Sequence, residues 1–382
     1  MSGGCPHYPF PWPSQTDQPR EFADLHRQPV LPVRLPSGDR ALLVTGYHEV
    51  RALLTDPRIS KNRQRPDMAR MTPPADGPPK HFGRQVQMDP PGHTRMRRLI
   101  AKAFSGAQMA RLRPRVAQRV DDLLDAMTGG QRPVDLGTAF AHPLSLHVIC
   151  DLLGVPEGDR AALAGMHAPP WDYLGELIER RRSDPDDGLI SALIEVSDAD
   201  DGRLSPTELH WWCTVLLLAG YETTAHQLLS AVVLLLEHPD QLATLRADPT
   251  AMPTAVEELL RHQVVGTSLS MLRYVTDDID LGGTTLPKGS SVVPSLECAN
   301  HDPAVFTDPL TLDLRRAGPA QLTFSFGRHF CVGASLARVE LELGLAGLLT
   351  RLPTLRLAVS VDRLRRREDP FTQGFTAVPV TW

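Results

Sequence analysis

The chain has 382 residues, 42% of them hydrophobic and 22% charged, so it is long enough to bury a large core. Its formal net charge of -5 is small and mixed in sign, which argues against nucleic acid as a partner. Five cysteines stand at positions 5, 150, 213, 298 and 331 with no CxxC pair. We therefore expect neither a disulfide framework nor a zinc site. The cysteine pattern instead predicts a protein of the reducing cytoplasm.

The N-terminal region predicts little regular structure. Residues 1–20 are rich in proline and have neither a basic start nor an apolar run, so we expect no signal peptide and no membrane anchor. Residues 29–46 alternate around a Ser-Gly-Asp turn, which predicts a hairpin. A short helix before Pro57 follows. Residues 61–91 then hold seven prolines and predict a long loop.

Helical periodicity dominates from Gly92 to about Asp201, over five apolar-patterned segments. A capping box with proline at the first helical position, Ser-Pro-Thr-Glu at 205–208, then opens a pattern that runs to Glu237. A helix of this length spans ~48 Å. It is apolar nearly all round, so we expect it to cross the centre of the fold.

The last third of the chain mixes helices and strands. The sequence "PTAVEELLRH" predicts a helix, and residues 272–294 predict strands around a Gly282-Gly283 turn. A buried helix is predicted up to Pro353, and the C-terminus returns to strand-like alternation. Neither repeats nor linkers interrupt the pattern, so the sequence predicts one domain over residues 1–382, mainly α with a small β portion.

A cysteine loop carries the clearest chemical signal. Residues 324–333 read "FSFGRHFCVG", the frame Phe324-x-x-Gly327-x-x-x-Cys331-x-Gly333. A lone cysteine is most often a small buried hydrophobe. Here two glycines permit close approach of a flat partner, and the start of a helix favours the thiolate. A thiolate is a strong iron ligand, and with haem it favours O–O cleavage.

With this loop the chain resembles the cytochrome P-450 superfamily of haem-thiolate monooxygenases, over nearly its whole length. The resemblance implies the cytochrome P-450 fold, with a long central helix over a buried haem b. It implies that Cys331 is the proximal iron ligand and that Phe324 and Gly327 belong to the cofactor-binding loop. A second shared motif is "EELLR". Glu258 and Arg261 lie on one helix face and are implied to be a buried structural pair rather than an exposed one.

The third motif, "AGYETT", lies inside the long apolar helix. Its ordinary interpretation is a polar turn whose hydroxyls bond back to the preceding turn. The resemblance instead implies that Glu222 and Thr223 lie over the distal face of the haem, where the threonine holds oxygen and a water and the acid relays protons. Small Ala219 and Gly220 would leave room for oxygen and substrate.

The fourth motif, "HTRMRRLI", places His93 and Arg97 at i and i+4. A basic helix is usually a solvated face, but haem propionates need cations, and arginine offers bidentate geometry. The resemblance makes His93 and Arg97 candidate propionate partners, with His329 and Arg273 as two more. Val264-Val265 stands where the family often has a proline-valine pair, which makes the pocket-lining backbone after it harder to predict.

The region over the expected pocket is short, because only eighteen residues separate Gly154 from Tyr173. The family normally places two helices and a loop there. Either the lid is truncated, which would suit a large or carrier-bound substrate, or the printed chain omits a segment of it. The sequence leaves both alternatives open.

The function implied is monooxygenation, in which one oxygen atom of O2 enters an organic substrate by hydroxylation, epoxidation or oxidative coupling, in bacterial secondary metabolism. The chain has no flavin or iron–sulfur region, so NAD(P)H-derived electrons would come from a separate ferredoxin and its reductase. The alternatives are a hydrogen-peroxide-driven peroxygenase and a non-enzymatic haem sensor; the Glu222-Thr223 pair argues against both. Five cations are candidates for a ferredoxin-docking face: Arg95, Arg98, Lys102, Arg328 and Arg338.

Overall fold

The computed structural model describes residues 5–19, 21–26, 28–62, 65–73, 88–164, 170–199, 203–266, 268–369 and 372–382. Over these residues the α-helices are α1 (Phe22–Leu25), α2 (Tyr47–Thr55), α3 (Gly92–Ala101), α4 (Gly106–Thr128), α5 (His142–Leu153), α6 (Arg160–Leu163), α7 (Trp171–Ser183), α8 (Leu189–Asp198), α9 (Pro206–Glu237), α10 (Pro239–Ala247), α11 (Met252–His262), α12 (Leu296–Ala299) and α13 (Ala334–Arg351).

Within the described residues the strands are short and form three small sheets. They are β1 (Val30–Arg34), β2 (Arg40–Val44), β3 (Ile59–Ser60), β4 (Val134–Asp135), β5 (Arg273–Val275), β6 (Ile279–Leu281), β7 (Thr284–Leu286), β8 (Ser291–Pro294), β9 (Arg356–Leu357) and β10 (Pro379–Thr381). Sheet orders are β1-β2-β8-β5-β3, β4-β10-β9 and β6-β7.

The chain divides into two compact units. The first comprises Met1–Asp89, Val233–Cys331 and Ser360–Thr376, and the second comprises Pro90–Val232, Val332–Val359 and Ala377–Trp382. The single domain predicted over residues 1–382 stays a prediction.

The five-stranded sheet organises the first unit. The predicted hairpin is confirmed: β1 and β2 pair antiparallel with Val30 opposite Val44. β2 then pairs parallel with β8, and β5 pairs antiparallel with both β8 and β3. Buried apolar side chains of β2, β8 and α2 form one continuous cluster, which includes Val44, Val292 and Leu53. This core supports the loop that ends at Cys331.

Helix packing organises the second unit. α13 lies against α4, and α4 lies against α5. Gly344 of α13 marks the closest approach to two other helices, because a Cβ there would lie 3.3 Å from both Leu144 Cδ2 of α5 and Leu228 Cδ2 of α9. The three-stranded sheet β4-β10-β9 belongs to this unit as well.

The long helix α9 follows the prediction residue for residue. Its capping box is formed, since the Ser205 N–H donates to Glu208 Oε2 at 3.0 Å and the Glu208 N–H donates to Ser205 Oγ at 3.3 Å. No single helix among the described residues is long and apolar enough to span a membrane. α9 and α10 pass that test only when taken together, and they meet at a bend of 103°.

Candidate active site

The loop of residues 324–331 is closed by its own backbone. The Cys331 N–H donates to the Phe324 carbonyl at 2.9 Å. Between them Gly327 opens a short 3-10 turn with φ of +70°. A Cβ at Gly327 would lie 2.8 Å from the carbonyl oxygen of Leu54 in α2, so only glycine fits there. The turn is therefore packed directly on the first unit's core.

Cys331 differs from the other cysteines in exposure. All five fall within the described residues, and Cys331 is exposed whereas Cys5 is half-buried. The remaining three are buried, and burial raises the pKa of the Cys150 and Cys213 thiols to about 12 and that of Cys298 well above its usual range. A buried neutral thiol is a poor nucleophile and a poor ligand. Cys331 alone is both exposed and set in a glycine turn.

Two predicted cations belong to the first unit. Arg273 starts β5 and is 1% exposed, with Nη1 donating to the Met271 carbonyl at 2.7 Å and to the Leu272 carbonyl at 3.1 Å. His329 ends the 3-10 turn two residues before Cys331 and is half-buried. Phe324 is also half-buried, and its ring lies edge-on to Phe330 at 6.5 Å.

Two more predicted cations belong to the second unit. His93 and Arg97 lie one turn apart on α3 and are half-buried, while Met96 and Ile100 form the helix's buried face. The guanidinium of their neighbour Arg95 forms an ion pair with Glu208 of α9. His93 and Arg97 share one helix face by their i, i+4 spacing, and their role toward a propionate stays a prediction.

The polar segment of α9 also lies in the second unit. Most of this helix is buried, but Ala219 and Thr223 are exposed and Glu222 has a side chain 41% exposed. The Thr223 hydroxyl donates to the Ala219 carbonyl at 2.7 Å, which is the bond back to the preceding turn of the ordinary interpretation. The hydroxyl nevertheless stays on the exposed face. The two predicted catalytic residues are thus consecutive in sequence and both reach solvent at least in part.

Gly220 does not have the predicted role. A Cβ at Gly220 would lie 2.7 Å from Ile149 Cδ1, so this glycine faces α5 and its space is filled by Ile149. The sequence predicted that Ala219 and Gly220 would both leave room for oxygen and substrate. Ala219 and Thr223, one turn apart, are both exposed, whereas Gly220 is half-buried.

The "EELLR" pair is buried, as predicted. Glu258 and Arg261 are each 2% exposed and are joined by two hydrogen bonds, Nε to Oε2 at 2.7 Å and Nη2 to Oε1 at 2.9 Å. Arg316, which the sequence analysis missed, adds its Nε at 3.1 Å. Burial raises the Glu258 pKa, but the hydrogen bond and charge of Arg261 outweigh it and lower the pKa overall.

The short region after Gly154 contains little helix in its described part. A 3-10 turn (Glu157–Asp159) and the four-residue α6 precede α7, which begins at Trp171. Residues 165–169 lie outside the described residues, so the two alternatives for this region stay open. The segment after Val265 forms a 3-10 turn (Ser268–Met271) that leads into β5.

Comparison with known proteins identifies the relatives. A family model described as Cytochrome P450 matches residues 134–356. The chain is 41% identical to nocardicin C N-oxygenase from Nocardia uniformis subsp. tsuyamanensis, over 98% of each chain. It is 40% identical to the cytochrome P450 monooxygenase PikC from Streptomyces venezuelae, over 92% of this chain and 87% of PikC. The crystal structure of CYP105N1 from Streptomyces coelicolor A3(2) is similar at a TM-score of 0.91 and 36% identity, over 99% of each chain.

Proposed function

Since the chain belongs to the cytochrome P450 family, we propose that it inserts one oxygen atom of O2 into an organic substrate of bacterial secondary metabolism, with electrons from a separate ferredoxin. The family is one of haem-thiolate enzymes, and the named relatives are oxygenases, so the chain is a monooxygenase that uses haem with an axial cysteine thiolate. Beyond family membership, we propose the electron donor, the substrate class and the residues that carry the chemistry.

The residues of the cysteine loop fit this cofactor. Cys331 offers an exposed thiol, and the turn before it is held by a glycine at which a Cβ would collide with the Leu54 carbonyl. In the proposed site Cys331 binds the iron and Phe324 packs beside the porphyrin. Haem, when bound, supplies the redox centre for O2 activation, and thiolate ligation favours O–O cleavage.

Four cations are proposed to neutralise the haem propionates: His93, Arg97, Arg273 and His329. Arg273 supports the assignment most strongly, because its guanidinium is 1% exposed and a buried cation is costly, and its Nη1 atom donates to the Met271 and Leu272 carbonyls. A carboxylate within reach would repay that cost, and arginine can meet it through two parallel hydrogen bonds. His93 and Arg97 lie one turn apart on α3, so their side chains share one helix face.

Glu222 and Thr223 are proposed to deliver protons. Their exposure on a mostly buried helix is the observation that carries the proposed function. Thr223 and Glu222 are consecutive residues of a mostly buried helix, and Thr223 is exposed while the Glu222 side chain is 41% exposed. Thr223 would orient a water and pass a proton toward O2, and Glu222 would refill it from the interior. Controlled proton supply is what separates productive oxygenation from the release of peroxide.

The substrate is proposed to be a small or carrier-bound organic molecule. The relatives carry names as different as nocardicin C N-oxygenase and pentalenic acid synthase, so family membership leaves the substrate open. A spectral titration against a compound panel would supply a ligand that shifts the haem spectrum. That ligand serves as the probe in the experiments below.

The test replaces Thr223 by alanine in the reconstituted system of ferredoxin, reductase and NADPH. We expect NADPH consumption to continue while most of its electrons appear as hydrogen peroxide instead of product. Thr214→Ala is the matched control, because Thr214 donates to the His210 carbonyl at 3.0 Å on the same helix but is fully buried. Unchanged coupling in Thr223→Ala would overturn the proposal. Full activity of the wild type with peroxide alone, without ferredoxin, would favour a peroxygenase.

A further inference from the structure

A buried histidine, His226, lies next to the proposed acid Glu222 on α9. His226 is one turn after Glu222 on α9, is 1% exposed, and holds its Nε2 atom 4.0 Å from Glu222 Oε1. The Glu222 side chain is 41% exposed. A buried imidazole therefore lies close to a carboxylate that is partly exposed to solvent, next in sequence to Thr223.

A second histidine continues the series. His142, the first residue of α5, packs its ring edge-on against His226 with ring centroids 5.1 Å apart and an interplanar angle of 86°. The His142 ring also packs edge-on near the Tyr221 ring, with centroids 5.7 Å apart. His142 is half-buried, so the series runs from the helix interior to a side chain in contact with solvent. At this centroid distance the two rings are in contact. A proton would pass after a ring rotation brings one nitrogen of each ring within hydrogen-bond reach.

Imidazole is the side chain best suited to carry protons through such a place. Its two nitrogens let it accept a proton on one side and donate from the other near neutral pH. Burying a polar ring is costly, so two rings in contact beside one carboxylate call for a function or a structural use. A purely structural use would not require a titratable ring next to Glu222.

We propose that His226 is a positioning residue that refills Glu222 with protons, with His142 as the entry point. The proposal rests on the proposed function of the Glu222–Thr223 pair. In each cycle the Nε2–H bond of the His226 imidazolium breaks and an O–H bond forms on the Glu222 carboxylate. The neutral imidazole then regains a proton that enters from solvent through His142. No electrons move along this path.

The first experiment is His226→Gln in the holoenzyme, since glutamine keeps hydrogen bonding but cannot carry a proton. We expect unchanged haem content, NADPH consumption lowered about tenfold with the spectral-shift ligand, and a larger solvent deuterium isotope effect. His210→Gln is the matched control on the same helix, because His210 stacks on Trp171 at 3.8 Å, away from Glu222. A wild-type rate and isotope effect in His226→Gln would overturn the proposal.

The second experiment needs neither turnover nor a folded His226 variant. Nitrogen-15 NMR of histidine-labelled full-length ferric protein reports the ring of His226, and Glu222→Gln should shift its Nε2 resonance while Thr223→Ala should not. An unchanged resonance in Glu222→Gln would overturn the coupling. Thr223→Ala also distinguishes failure of the His226 relay from failure of the proposed function of Glu222 and Thr223. If it uncouples turnover while His226→Gln keeps the wild-type rate and isotope effect, the relay alone fails; if it leaves coupling intact, the proposed function fails.

Discussion

At the scale of single residues, environment decides what each cysteine thiol can do. Cys150, Cys213 and Cys298 lie in apolar surroundings, where burial raises the thiol pKa far above neutrality and keeps the sulfur protonated. Cys331 is exposed in a turn built around Gly327. A thiolate ligand has to be accessible, and a strongly raised thiol pKa opposes ligation, so Cys150, Cys213 and Cys298 are poor candidates.

Replacing Cys331 by alanine should therefore abolish thiolate ligation of the haem. We expect the ferrous carbon-monoxide complex to lose the red-shifted Soret band of a thiolate-ligated haem, while far-ultraviolet circular dichroism changes little. Cys5→Ala, in a half-buried cysteine of the same unit, should keep that band. A red-shifted band that survives in Cys331→Ala would assign the ligand to another cysteine.

Buried histidines should make the protein sensitive to mild acid. Burial, followed by the nearby charge of Arg261, lowers the pKa of His262 to about 4, and burial lowers that of His301 well below its usual range. Unfolded histidine has a pKa of ~6.5. Below that pH the His262 side chain is protonated in the unfolded chain, whereas in the folded protein it stays neutral down to about pH 4. The unfolding free energy should then fall by about 3 kcal/mol across this window for His262 alone.

Urea midpoints measured at several pH values between ~7 and ~4.5 test this expectation. His262→Gln should flatten the loss of stability, because the residue no longer titrates. His210→Gln should keep the wild-type slope, since His210 carries no comparable burial. Parallel curves for His262→Gln and wild type would show that His262 does not contribute to acid sensitivity.

At the scale of elements, the packing of α13 on α4 depends on a missing side chain. A Cβ at Gly347 would collide with Cγ1 of Val120, whereas a Cβ at Gly106, the first residue of α4, would have no described atom within 4 Å. Overpacking costs about 1–3 kcal/mol, and alanine regains about 1 kcal/mol of helix propensity. Gly347→Ala should thus lower the unfolding free energy by about 1 kcal/mol, and Gly106→Ala should not lower it. A stabilised Gly347→Ala would mean that Val120 moves aside freely.

Local sequence signals predicted the helices and hairpins well. The capping box and the uninterrupted apolar pattern predicted both ends of α9, and the Ser-Gly-Asp turn predicted the β1–β2 hairpin. The mainly α fold with a small β portion is confirmed by the structure and by the matching P450 structures. These features depend on neighbours within one or two turns of chain, which is the range that periodicity and capping describe.

Long-range partners were beyond the sequence. Ile59 of β3 pairs with Val275 of β5, and Arg316 joins Glu258 from 58 positions away; nothing local marks either contact. Gly220 was misassigned because spacing tells which residues share a helix face but not what that face meets. The His226–Glu222 contact could have been found, since i, i+4 spacing brings the two side chains together.

At the scale of the whole molecule, the charge distribution limits how a ferredoxin could dock. The chain carries a net charge of -5, so attraction to an acidic partner has to come from a local cluster of cations. Of the five candidates, Arg95 is paired with Glu208 and Arg328 donates to the Asp56 carbonyl at 2.8 Å. Arg98 and Lys102 are exposed and one helical turn apart. We expect these two to contribute most to docking.

Reduction of the enzyme by ferredoxin should slow as salt rises, because ~0.15 M salt screens charges separated by more than ~8 Å. Changing both Arg98 and Lys102 to glutamate should lower the first-electron rate at low salt roughly tenfold and flatten its dependence on ionic strength. The matched control is the double variant Arg246→Glu/Lys288→Glu, which makes the same change in net charge at two exposed cations of the other unit. If the control slows reduction as much as the test variant, net charge rather than a docking face governs the encounter. If neither variant slows it, ferredoxin binds through other residues.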